Sequence, residues 1–134
     1  MSRSFRWSFT VLVTGLSMST LAAEPPIAVK RETAAGKEVL IRGFAQFDAS
    51  CNLTRVQTIA VVAPPRGGKV ETRPGAVVIG PNWVGGGHCE GTTLQGVNVF
   101  YVPAPGFKGI DRFSLDVGYS LQRTVRAEVE VAVR

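Results

Sequence analysis

Residues Tyr101 to Val117 read YVPAPGFKGIDRFSLDV. Tyr101 closes an apolar run, and Pro103, Pro105, Gly106 and Gly109 build a turn. A second run then starts at Asp111, with Phe113, Leu115 and Val117 at every other position. Alternate residues of a strand share one face, so these three side chains enter the same core. Aromatics placed before and after a Pro/Gly turn pin one sheet over another, and the stretch predicts a β-sandwich. Phe107 is expected to plug the end of the sandwich, and Gly109 to let the backbone turn. Asp111 is expected to accept hydrogen bonds from turn amides.

The rest of the chain agrees with this reading. From Thr124 to Val133, Val125, Ala127, Val129, Val131 and Val133 alternate with Arg126, Glu128 and Glu130. Strict alternation requires one buried and one wet face, as in an antiparallel sheet. Further strands are predicted at 27–30, 37–47, 57–63, 69–72, 76–79, 97–102 and 112–119. Pro74-Gly75 is expected to break the pair 69–72 and 76–79, and Gly43 to mark a bulge or close approach. Residues 80–91, with Gly80, Pro81, Gly85 to Gly87, His88 and Cys89, read as a long loop. No long amphipathic helix is predicted. The expected fold is an all-β antiparallel sandwich of about seven strands.

The chain opens with a predicted signal peptide over residues 1–23. Arg3 and Arg6 precede an apolar stretch from Phe9 to Leu16, and Thr20-Leu21-Ala22-Ala23 is a small-residue cleavage region. The apolar run is interrupted by Thr14, Gly15, Ser17 and Ser19 and falls short of a membrane span. Residues 24–134 then form the expected domain, exported to the periplasm or outside the cell, with no membrane insertion after cleavage. Setting aside Arg3 and Arg6 leaves 13 of the 15 basic residues against 10 acidic ones, a net charge of +3. The basic residues are scattered singly, without the clustering a nucleic-acid surface needs, so no nucleic-acid partner is expected.

Cys51 and Cys89 are the two cysteines. In an exported chain they are expected to pair, closing a loop of 38 residues. Such a loop contributes at most about 4 kcal/mol by chain entropy. The competing reading, a redox or metal pair, lacks a C-x-x-C motif and has only one histidine to draw on.

The motif Tyr101-x-Pro103-x-Pro105-Gly106-Phe107-x-Gly109-x-Asp111-x-Phe113, followed by the Val125–Val133 strand, resembles the signature of bacterial cadherin-like and Ig-like repeat domains. Gly68-Lys69-Val70 is similar to the short strand that precedes that signature. The resemblance covers about the last half of the chain. It implies an Ig-like sandwich; the family usually occurs as tandem repeats, whereas this chain is expected to carry a single exported copy. Calcium-binding members carry an acidic cluster between early strands, whereas Phe47 to Thr54 here holds one carboxylate, Asp48. Hard cations want several oxygen ligands, so the resemblance does not extend to that site.

Chemistry-bearing residues are few. His88 beside Cys89 is the one candidate base next to a nucleophile, but neighbours on an extended chain point to opposite faces. His88 with Glu90 or Asp48 is a weak metal-ligand set. Trp83, in Pro81-Asn82-Trp83-Val84-Gly85, is either a loop anchor for a partner or a cap on the core, and His88 and Tyr101 fit either role beside it. The sequence therefore predicts no catalytic residue, cofactor or metal. It predicts a non-enzymatic binding module of the bacterial envelope, recognising a protein or polysaccharide through Trp83 and His88. Two alternatives stand beside it. One is a small periplasmic metal-binding protein or enzyme using His88. The other is a structural subunit that joins an envelope assembly through an edge strand.

Overall fold

The computed structural model describes residues 15, 24–55, 57–81, 87–120 and 123–134. The predicted signal peptide, apart from Gly15, lies outside the described residues. Among the described residues nine strands follow in order: β1 (Ile27–Thr33), β2 (Val39–Phe44), β3 (Gln46–Phe47), β4 (Leu53–Arg55), β5 (Thr58–Ala63), β6 (Gly68–Val78), β7 (Thr93–Pro103), β8 (Gly109–Ser120) and β9 (Arg123–Val133). One sheet has the order β1-β9-β8-β5 and the facing sheet β2-β7-β6, with β3 and β4 as a small separate pair. The all-β sandwich expected from the sequence is present.

The β9 strand has the burial pattern its sequence dictates. Val125, Ala127, Val129, Val131 and Val133 are buried, and Arg126 and Glu128 are exposed. Across the β8–β9 ladder, Arg112 faces Glu130 and Asp116 faces Arg126, and both pairs form ion pairs on the outer face. Inside, Phe113, Leu115 and Val117 of β8 meet Ile41, Phe44, Val99 and Tyr101 from the facing sheet. Tyr101 of β7 stacks on Phe113 of β8, with centroids 5.9 Å apart and planes 11° from parallel. The aromatic pair flanking the Pro/Gly turn does pin the sheets together.

Four details depart from the sequence reading. First, the sandwich is not antiparallel throughout. β1 runs parallel to β9, with Ile27 opposite Ala127 and Thr33 opposite Val133. The hairpin partner β8 holds the other edge of β9, and the chain leaves β1 for the opposite sheet instead of folding back on itself. Second, Pro74 does not break the strand. β6 runs unbroken with Pro74 opposite Val97, because β6 is an edge strand whose missing N–H is not needed by a neighbour. Third, the predicted 37–47 strand divides at buried Ala45 into β2 and β3. Fourth, β4 forms inside what reads as a loop, which with the division at Ala45 raises the count from about seven to nine. Gly43 is a close-approach position, since a Cβ there would stand 2.9 Å from Val77.

Asp111 closes one end of the sandwich. Its carboxylate is buried and accepts hydrogen bonds from Arg66 N at 3.0 Å, Gly67 N at 2.8 Å, Tyr101 Oη at 2.8 Å and Arg112 N at 3.0 Å. The turn amides it serves therefore belong mainly to the β5–β6 connection. The ring of Phe107 lies directly on Gly67, where any side chain would collide with it, and packs at the margin of the core. Gly106 (φ 80°) and Gly109 (φ 129°) supply the backbone angles that bring Phe107 and Asp111 there. Burial pushes the Asp111 pKa up, but the Arg66, Tyr101, Gly67 and Arg112 hydrogen bonds outweigh it and hold the group below its ordinary value.

Replacing Asp111 by Asn turns one acceptor into a donor aimed at donors. The variant is expected to lose about 1–3 kcal/mol in urea denaturation near neutral pH. A carboxylate with a depressed folded pKa stabilises above its unfolded value, about 3.9, and that stability disappears as pH falls through the folded value. Wild-type protein should therefore lose more stability than Asp111→Asn when titrated from about pH 5 to about pH 2. Equal losses in both proteins would contradict this account.

Candidate functional site

The opposite end of the sandwich is built differently. There Asp48, the one carboxylate of its segment, organises the β3–β4 turn. Its Oδ1 accepts Ser50 N at 2.9 Å and Asn52 N at 3.0 Å, and its carbonyl accepts Cys51 N at 3.0 Å. This turn holds Cys51 in the left-handed region at φ 63°. Between β6 and β7, a second turn is fixed by Gly91 N to Ile79 O, Ile79 N to Thr92 O and Thr92 N to Cys89 O. Cys89 is fully buried, and the two turns are joined by the Cys51–Cys89 disulfide, with Cα atoms 5.4 Å apart.

His88 is exposed beside the bridge, and its Nε2–H donates to the Ala49 carbonyl. With its sulfur bonded to Cys51, Cys89 offers no thiolate, so the His88–Cys89 nucleophile reading fails. The residues His88 is grouped with are Cys51 and Cys89, not Glu90 and Asp48. The ligating atoms of the three lie within 4.8 Å of one another. Tyr101 is fully buried at the other end, in the Asp111 cluster, and does not join His88. Trp83 lies outside the described residues.

The same end holds an open cleft of about 500 Å³ between the two sheets. Arg42 and Phe44 of β2, Gln46 and Phe47 of β3, Tyr119 of β8 and Arg123 of β9 line it. Glu24 sits at its rim and takes both Arg123 Nε at 3.1 Å and Nη2 at 2.9 Å. Arg123 lies 5.3 Å over the Tyr119 ring and Arg42 5.8 Å over Phe44. Burial raises the Tyr119 phenol, against the pull of Arg42 and Arg123. Gln46 Oε1 is buried in this lining and has no hydrogen-bond partner among the described residues. Gln57, 3% exposed, is likewise unpartnered at both amide atoms among the described residues.

The sequence reading singled out the loop at this end and missed the cleft. Arg42-x-Phe44 and Tyr119 with Arg123 each pair a cation with an aromatic at a strand end, which was the available signal. Their convergence depends on the alignment of two sheets, which no local pattern encodes. The chain matches no known family model and no curated protein. No helix among the described residues is long and apolar enough to cross a membrane.

With both sulfurs in the bridge, alkylation of the unreduced protein should label no cysteine by mass. Labelling of both would remove the disulfide from this description. The Cys51→Ser, Cys89→Ser double variant is expected to lose about 2–4 kcal/mol in urea denaturation and still fold, because the main core cluster contains neither residue.

Proposed function

We propose that this chain is a non-enzymatic binding module of the bacterial envelope, an exported Ig-like domain that recognises a protein or polysaccharide partner at the open end of the sandwich. The observation that carries this reading is the cleft. An aromatic floor from Phe44, Phe47 and Tyr119 is bordered by Arg42 and Arg123, and a buried Gln46 carbonyl has no partner among the described residues. Buried polar atoms are normally satisfied, and such an acceptor is suited to a hydroxyl or amide N–H brought by a ligand. Aromatic faces suit sugar rings or apolar side chains. In this reading Trp83, from the segment Pro81-Asn82-Trp83-Val84-Gly85, contributes an anchor for the partner. The cadherin-like motif from Tyr101 to Phe113 supports an Ig-like domain, and the predicted signal peptide supports export.

Affinity capture from envelope extract tests the reading, using residues 24–134 as wild type, Trp83→Ala and Arg123→Glu. A partner held by wild type and lost by at least tenfold in both variants, with unchanged circular dichroism, is the expected outcome. Retention by both variants, with loss on placing Lys in β5 or β6, would replace the reading with assembly through an edge strand.

A further inference from the structure

The Cys51–Cys89 bridge carries one feature that a purely structural disulfide does not need. His88 stands with a ring nitrogen within 4.8 Å of both sulfurs. Nε2–H donates to the Ala49 carbonyl, which leaves Nδ1 as the nitrogen with a free lone pair. A histidine that ligates a metal characteristically donates its other ring N–H to a carbonyl or carboxylate, and the bond to Ala49 is of that kind. The carbonyl itself is fixed, since Ala49 lies in the turn that Asp48 closes.

We propose that Cys51, Cys89 and His88 form a redox-gated site for a soft monovalent cation of the Cu⁺ type. The site is closed while the disulfide stands and opens when a dithiol reductant cleaves it. The reductant thiolate attacks Cys51 Sγ, forms a mixed disulfide with it and expels Cys89 as a thiolate. Its second thiol then displaces the Cys51 sulfur from the mixed disulfide and the reductant leaves as the cyclic disulfide, so the protein gains two electrons and two protons as two thiols. Binding of Cu⁺ releases those two protons, and two thiolates and one neutral imidazole remain as ligands. Thiolates select soft cations, and Cu⁺ is satisfied by as few as two or three donors. Donors about 2.0–2.3 Å from a shared ion stand roughly 3.5–4 Å apart, within the present spread of the three atoms once the sulfurs separate. Reductant reaches the bridge through Cys51, which is partly exposed, whereas Cys89 is fully buried.

The test is anaerobic Cu⁺ titration of residues 24–134 against a chromophoric Cu⁺ chelator, with near-ultraviolet thiolate absorption as a second readout. Reduced wild type is expected to withdraw one equivalent of Cu⁺ from the chelator while retaining its β-type circular dichroism. Oxidised wild type should withdraw none. His88→Ala, which keeps both cysteines, should bind about tenfold or more weakly after reduction. His88→Gln should weaken binding comparably, because an amide cannot replace the imidazole donor. The proposal is overturned by reduced wild type that withdraws no Cu⁺, by His88 variants that match wild type, or by binding seen only once the circular dichroism of the fold is lost.

Discussion

The two sheets are held in register at one end by a single buried carboxylate. Asp111 sits at the start of β8, yet its hydrogen bonds reach the β5–β6 connection through Arg66 and Gly67 and the facing sheet through Tyr101. Neutral partners would satisfy the same donors more weakly, because hydrogen bonds to an ionised acceptor are roughly twice as strong. The Tyr101–Phe113 stack and the Phe107 ring over Gly67 then pack around that fixed point. That end of the sandwich is thereby organised around Asp111, which also lines an open pocket there with Arg66, Phe107 and Arg112. The other keeps a cleft, and its loops are tied by a covalent bond rather than by packed aromatics.

This division of labour explains where the chemistry sits. At the Asp111 end, Tyr101 and Asp111 are already engaged with each other and with the turn amides. The open end has arginines over aromatic faces and a glutamine acceptor without a partner among the described residues. The disulfide lies at that same end, so the scaffold is tied together where the cleft opens.

What could be read from the sequence followed the range of the forces involved. The strand faces of β8 and β9 were legible because a two-residue period is local and nearly every inward position is apolar. The Asp111 role was legible in kind, a carboxylate accepting amides, but not in its partners, since Arg66 and Gly67 lie far back in the chain. Pro74 was misread because its effect depends on whether its strand is at an edge, which is a property of the sheet. The parallel β1–β9 pairing was hidden for the same reason. The pairing of Cys51 with Cys89 was readable from the count alone, but the placing of His88 against both sulfurs required the two turns to be seen together.

The position of β9 has a kinetic consequence. It is an interior strand, flanked by β1 from the start of the domain and by β8. Ile27 finds its partner only in Ala127, so the four-stranded sheet has a vacant central place until residues 123–133 have been made. Closing so long a loop is slow, and pairings of high sequence separation delay folding. A chain emerging from the ribosome can thus assemble the β2-β7-β6 sheet and the β5–β8 pair first, but β1 has no strand to dock on until β9 is made.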